Sequence, residues 1–291
     1  MKKWQIILLT IIILVLAGYS YFIEPRQLEL NKYTVQDAQL RGVKIVFASD
    51  FHIKPYQEKR LEKIVEMINE ENPDIVVSAG DYVCGHTRHS TMPIENIAKT
   101  LGKIKTKYGF YTSLGNHDGW YNPDEITMAL EENGIKVLSN SHTMVNINGQ
   151  KIYITGIEDY DTGKPDINKA LEGIKAKENG EYNTPIIMLS HSPDMFLKMP
   201  TEITLVLAGH THGGQVRIPL LGPIFTASGY GDKYAKGWKQ EYMGKLIKVN
   251  PDNPIQLKKE VKTLFVTRGI GVSILPFRFN CPPEINVIEF E

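Results

Sequence analysis

The stretch VKIVFASD, residues 43–50, is an apolar run of strand length that ends in polar residues. Leu61, Ile64, Val65 and Ile68 follow at helical spacing until Asn72-Pro73 stops the pattern. DIVVSAGD (74–81) is the next buried strand, and Ile94, Ile97, Ala98, Leu101 and Ile104 mark a second helix. GFYTSLGNHD (109–118) is a third strand, and PDEITMALEENG (123–134) predicts a helix with proline first and glycine last. Farther on, HTMVNINGQKIYITGIED (142–159) predicts a hairpin about Asn148-Gly149. TPIIMLSHSP (184–193) and ITLVLAGHTHGG (203–214) are again apolar strands, each ending in histidine. A βαβαβα rhythm that passes into antiparallel sheet predicts an α/β sandwich, with helices outside two packed sheets. No internal repeat or low-complexity tract interrupts it.

The chain has 291 residues, with 33 Lys plus Arg balanced by 33 Asp plus Glu. It is long enough to bury a sizeable core. Its sequence pI near 7.1 supplies no global field to draw it to nucleic acid. Cys84 and Cys281 are too few for a disulfide framework and lack the paired spacing of a zinc ribbon.

The N-terminus is different in kind. After MKK comes WQIILLTIIILVLAGYSYF, residues 4–22, interrupted only by Gln5, Thr10 and Ser20. At about 1.5 Å per residue this spans a hydrocarbon core of ~30 Å, and Trp4, Tyr19, Tyr21 and Phe22 suit the two interfaces. Residues 1–23 are read as a single-pass anchor in the cell membrane. The competing reading is a cleaved signal peptide, because the strongest apolar stretch, Ile6 to Ala17, also suits an h-region. Lys2 and Lys3 lean the N-terminus toward the cytoplasm and the following domain outside it. Residues 24–42 form a polar connector, and 43–291 the main domain.

Five strand ends carry the polar residues: Asp50-Phe51-His52, Gly80-Asp81, Gly115-Asn116-His117-Asp118, Ser190-His191 and Gly209-His210-Thr211-His212. Open α/β sheets place their sites at such ends. On an extended chain, side chains two apart share a face, so Asp50 with His52, and His210 with His212, would each clamp a metal. Imidazole, carboxylate and amide oxygens without thiolate suit divalent Mn, Fe, Co or Zn. His86, His89 and His142 fall in no such block and are surface or loop histidines.

The order D-x-H, G-D, G-N-H-D, a lone H after an apolar strand and G-H-x-H resembles the calcineurin-like metallophosphoesterase superfamily. The resemblance implies a four-layer α-β-β-α sandwich and two divalent metal ions bridged by one carboxylate. By position, Asp50, His52, Asp81 and His212 would hold one ion, and Asp81, Asn116, His191 and His210 the other. It also implies hydrolysis of a phosphoric ester by a metal-bridging hydroxide, with His117 protonating the leaving oxygen and Asp118 orienting His117.

The tail TRGIGVSILPFRFNCPPEINVIEF (267–290), the stretch GHTHGGQVRIPLLGPI (209–224) and the N-terminal apolar segment are similar to membrane-associated bacterial phosphodiesterases of the YkuE and YaeI type. That resemblance implies a lipid-linked or nucleotide-linked substrate such as UDP-2,3-diacylglucosamine. The twin-arginine start of some such proteins is absent. RIPLLGPIFTA (217–227) and ILPF (274–277) are either an apolar lip for acyl chains or buried loop packing. Arg217, Arg268 and Arg278 are candidates for phosphate contact, with structural ion pairing as the other role. A broad phosphatase or nuclease with the same metals is the alternative activity. A non-catalytic scaffold would have lost ligands or His117, and none is lost.

Overall fold

The computed structural model describes residues 2–85, 87–174 and 184–291; His86 lies outside them. In its first half the chain runs α1 (Lys3–Gly18), β1 (Glu29–Gln36), β2 (Lys44–Phe47), α2 (Glu58–Glu70), β3 (Ile75–Ser78), α3 (Ile94–Leu101), β4 (Phe110–Thr112), α4 (Asn116–Tyr121), α5 (Pro123–Glu132), β5 (Ile135–Val137), β6 (Ser141–Ile147) and β7 (Gln150–Gly156). It continues with α6 (Ile167–Ala170), β8 (Ile186–Ser190), β9 (Leu205–Ala208), β10 (Arg217–Ile218), β11 (Gly222–Pro223), β12 (Gly237–Tyr242), β13 (Lys245–Ile247), β14 (Ile255–Gln256), β15 (Lys262–Val266) and β16 (Glu284–Phe290).

Local chemistry sets these elements. Helix α2 buries Leu61, Ile64, Val65 and Ile68, and α3 buries Ile94, Ile97, Ala98 and Leu101, each one stripe of a 3.6-residue period. The Asn122 side chain caps α5 by accepting from the Glu125 N–H, with Pro123 in its first turn. Asn148 and Gly149 both take positive φ, 52° and 90°, as a two-residue hairpin turn of the right twist requires.

Two seven-stranded sheets result, in the orders β14-β1-β16-β2-β3-β4-β5 and β13-β12-β15-β9-β8-β7-β6. Between them lies a core of Ile45, Phe47, Ile75 and Val77 from the first sheet and Ile152, Ile154, Ile187, Leu189, Leu205 and Leu207 from the second. On the outer face of the first sheet, α2, α3 and α5 pack over Val46, Val76, Val287 and their neighbours. Outside the second, Ala170, Met195 and Phe196 cover Met188, Val206 and Leu264. The layers are therefore α-β-β-α, as the resemblance implied.

The segment 24–42 is more than a connector. Its β1 pairs parallel with β16 from Glu29↔Glu284 to Val35↔Phe290, and with β14 beyond. Only Val35 of β1 is fully buried, so its sequence carries little strand periodicity, and its partner lies at the far end of the chain. The helical rod that begins at Lys3 continues past α1 to Arg26, 24 residues long and apolar enough to cross a membrane.

Candidate metal centre

Strands β2, β3, β8 and β9 stop short of the residues that matter. Asp50, His52, Asp81, His210 and His212 all lie beyond them with φ between 41° and 70°. Left-handed backbone at a non-glycine residue stores strain and persists only where its surroundings over-determine it. Here the backbone is held across loops. The Asp50 N–H donates to Gly80 O (2.9 Å) and the His52 N–H to Asp81 O (3.1 Å). The His210 N–H donates to Asp50 Oδ1 (2.8 Å) and the His117 N–H to Asp81 Oδ1 (2.9 Å). The Asp50/His52 and His210/His212 pairs are thus not displayed by strand alternation; each loop curls to aim its side chains separately. Two glycines permit the approach: a Cβ on Gly115 would collide with Asp81 and His191, and one on Gly209 with Asp50.

The donor atoms converge in two groups that share Asp81. Ligand atoms of Asp50, His52, Asp81 and His212 all lie within 4.8 Å of one another. The His52 and His212 Nε2 atoms are 3.0 Å apart, and His212 Nε2 is 3.7 Å from Asp50 Oδ1. On the other side, Asn116 Oδ1 lies 2.8 Å from His191 Nε2 and 3.0 Å from His210 Nδ1. Asp81 Oδ2 stands 3.3 Å from both His52 Nε2 and His191 Nε2. Asp50, His52, Asp81, Asn116, His191, His210 and His212 thus lie side by side in one cluster.

The electronic state of this cluster tests whether it fits a cation. His52 Nδ1 faces Val83 O (3.0 Å) and His191 Nδ1 faces Ala79 O (2.7 Å). Each carbonyl accepts an N–H there, so Nε2 is the ring atom that faces inward, the usual arrangement behind a metal-bound imidazole. Asp50 Oδ2 is buried with no hydrogen-bond partner. Burial, together with the nearby Asp81 charge, raises the Asp50 carboxyl above the usual range. Burial also pushes against ionised Asp81, but His191 and His52 overcome it and hold that carboxyl well below the usual range. His191 is drawn up to about 10, because Asp81 and Asp50 outweigh its own burial. Converging lone pairs and uncompensated carboxylates in a dry site match a divalent cation.

Two expected roles need correction. Asp118 does not orient His117: its oxygens accept from the N–H groups of Asp81 (2.7 Å), Tyr82 (2.9 Å) and Gly115 (3.0 Å). It fixes the loop that carries Asp81. Burial and the Asp81 charge raise the Asp118 carboxyl to about 7. His117 instead meets Ser273 Oγ through Nε2 (3.3 Å), packs against Trp120 and His52, and leaves its buried Nδ1 without a partner. Burial lowers it to about 4. Arg278 faces the backbone of its own loop. It is wholly buried, and its guanidinium donates to the carbonyls of Arg268, Gly269, Gly271 and Cys281. Arg268 is paired with Glu284 and Glu29, and Arg217 with Asp232. Both guanidiniums are thus engaged by carboxylates, as the structural alternative expects.

Ser273 is a site residue that sequence reasoning missed. Its backbone is clamped by Gln215, whose side chain accepts from the Ser273 N–H (2.8 Å) and donates to the Ser273 carbonyl (2.7 Å). Its only sequence signal was a place in the glycine-rich TRGIGVS stretch. Cys84 and Cys281 are both free. Above the donors opens a cavity of about 850 Å³, with Asp81, Asn116, His117 and His210 on one side and Phe225, Ile274, Leu275 and Pro276 on the other. His142 and His89 stand apart from it.

Fold and site together define a metal-dependent phosphoester hydrolase of the calcineurin type. The model of the calcineurin-like phosphoesterase family matches residues 43–214, more than half of the chain, which belongs to that family. It is 30% identical over 278 residues to the uncharacterized metallophosphoesterase YkuE of Bacillus subtilis, covering 93% of this chain and 88% of that protein. It is 26% identical over 279 residues to the phosphodiesterase YaeI of Escherichia coli, covering 94% and 92%. A Danio rerio transmembrane protein with a metallophosphoesterase domain is 34% identical over 198 residues, covering 61% of this chain and 42% of that one. The chain is a metallophosphoesterase.

Proposed function

We propose that this metallophosphoesterase is a phosphodiesterase or pyrophosphatase acting on a lipid-linked or nucleotide-linked substrate, of the UDP-2,3-diacylglucosamine kind. Asp50, His52, Asp81 and His212 would hold one divalent ion, and Asp81, Asn116, His191 and His210 a second. Bound there, manganese, iron or zinc would supply Lewis-acid charge to the phosphate oxygens and acidify a coordinated water. The chain's own residues do the remaining work. Asp118 keeps the Asp81 loop in place through three amides. His117 is held neutral by burial at pH 7, and a phosphate anion beside it favours its charged form. The proton it takes up from solvent on charging would pass to the leaving oxygen as the bond from that oxygen to phosphorus breaks.

The observation that carries the substrate class is the exposed apolar wall of the cavity. Phe225, Ile274 and Leu275 line the cavity and are exposed rather than packed, as are Leu220, Leu221 and Ile224 in the adjoining β10–β11 segment, which favours the lip over buried loop packing. The end of the helical rod is bonded to the same loops. The Arg278 N–H donates to Ser20 O (3.0 Å), and buried Glu24 accepts from the N–H groups of Asn280 (3.0 Å) and Cys281 (2.5 Å). Tyr21 packs on Phe277 at 5.6 Å. These bonds dock the end of the helical rod on the domain, which supports a rod that stays attached to it as an anchor. The protein is accordingly read as single-pass in the cell membrane, with its catalytic domain outside the cytoplasm.

The test is turnover by the full chain in nanodiscs of bis(p-nitrophenyl) phosphate, p-nitrophenyl phosphate and UDP-2,3-diacylglucosamine, with and without manganese. Manganese-dependent cleavage preferring the acylated nucleotide is expected. Equal rates on all three would replace the lipid-linked reading with a broad phosphatase.

A further inference from the structure

Next to the catalytic cavity lies a second one of about 530 Å³, within the ~300–1,000 Å³ typical of small-ligand sites. It is lined by Arg26, Lys54, Arg60 and Lys63, together with His52 and Tyr21, and no carboxylate lines it. In a chain of balanced charge, four cations around one cavity without an acid are a local excess. Among the described residues, no ion pair joins any of the four to a carboxylate, whereas Arg217 and Arg268 nearby are both paired. Arg60 is preset: it donates to Pro25 O (2.9 Å) and Ile270 O (2.8 Å), using two of its five N–H groups. Burial first, and then the charges of Arg278 and Arg26, lower its pKa to about 10, and a bound anion would counter both.

The two cavities are neighbours in the strict sense. Lys54, Val272 and Pro276 line both, and His52, a residue of the metal centre, lines the second. We propose that Arg26, Lys54, Arg60 and Lys63 form a second anion subsite, which holds a phosphate-class group other than the one being hydrolysed. The proposal deepens the reading above and rests on it: the substrate would carry its scissile phosphorus at the metal centre and a further anionic group in this annex. Tyr21, Pro25 and Arg26, at the end of the helical rod, form one wall. The same phosphate chemistry is therefore available from two sources, the substrate itself or a phospholipid headgroup of the bilayer.

The experiment titrates inorganic phosphate calorimetrically into the manganese-loaded full chain in phosphatidylcholine nanodiscs. Two binding events are expected, one for each cavity. The double variant Lys54→Gln/Lys63→Gln should weaken one of them by about tenfold or more, the loss expected when charge-assisted hydrogen bonds are removed. Lys59→Gln, an exposed lysine on α2 outside both cavities, should change neither. A single event in the unaltered chain, or two unchanged events in the double variant with its thermal stability intact, overturns the subsite. Turnover of bis(p-nitrophenyl) phosphate by the same preparation separates the two readings. Cleavage with a single binding event sinks the subsite alone, whereas two events without cleavage keep the subsite and sink the proposed activity. Repeating the titration with phosphatidylglycerol in the nanodisc identifies the source. Loss of the second event assigns the annex to a lipid headgroup, and its persistence to the substrate's own phosphate.

Discussion

Asp50, His52, Asp81, His191 and His212 are at most 3% exposed, while Leu220, Leu221, Ile224, Phe225, Ile274 and Leu275 above them are at least 54% exposed. Asp81 from the first group and Phe225, Ile274 and Leu275 from the second line one cavity, yet the two groups are held by opposite means. Asp50, His52 and Asp81 are fixed by backbone bonds between neighbouring loops, and their strained φ is the sign of that fixation. The rim residues project from the short β10–β11 ribbon and the loop after β15, with little packed against them. Residues that must share charge with a cation tolerate no displacement. Residues that meet flexible apolar chains gain from exposure, because their burial by a ligand is itself favourable.

The centre should break hardest. Asp81→Ala removes the one carboxylate placed between both donor groups and leaves buried imidazoles without a counter-charge. Turnover is expected to fall by more than the about 10²–10⁴-fold of a lost general acid, with bound manganese reduced when measured by plasma mass spectrometry. Two metals per chain at full rate would sink the bridging role. His117→Ala comes next: about 10²–10⁴-fold lower turnover with metal content unchanged, since no ligand is lost. Unaltered turnover would remove His117 from the mechanism.

Chelation applies the same contrast to stability. Without a cation, Asp50 and Asp81 stay buried and close together, so the melting temperature should drop. At a metal concentration of about 100 times Kd, binding contributes ~2.7 kcal/mol, or about 5–10 °C for a domain of this size. Rim substitutions should shift it by far less. A chelator-insensitive melting curve would mean that the cluster holds no metal under those conditions.

The centre was legible because its polar residues follow apolar strands at a sheet's end, so Asp50, Asp81, Asn116, His191 and His210 stood out as candidates, and the family resemblance supplied their ligand roles. The aiming was not legible. Left-handed φ at Asp50 and His212 depends on bonds to Gly80, Asp81 and other loops far away in the chain. Asp118 was recognised, but its acceptors face the Asp81 loop rather than the adjacent His117. The failure at Arg278 has the same cause: a guanidinium consumed by four carbonyls of its own loop looks, in sequence, like one free for phosphate. Strand β1 was hidden because its partner β16 closes the chain from the other end. Identity of chemistry is local, whereas direction and pairing are set by contacts between distant segments.

The rim gives the smallest effect and the sharpest discrimination. Replacing Leu220 and Ile274 with serine removes two exposed side chains, so stability should hold within about ±0.5 kcal/mol per site. If acyl chains lie against them, each lost apolar contact weakens binding by about 1 kcal/mol, so the pair raises KM for an acylated nucleotide by about thirtyfold. The shift for bis(p-nitrophenyl) phosphate should be much smaller, because that diester lacks a chain to reach the rim. A uniform rise in KM for both substrates would instead mean that the rim shapes the cavity itself. A fall in kcat without a change in KM would tie it to His117 through Ser273, one residue before Ile274 in the chain.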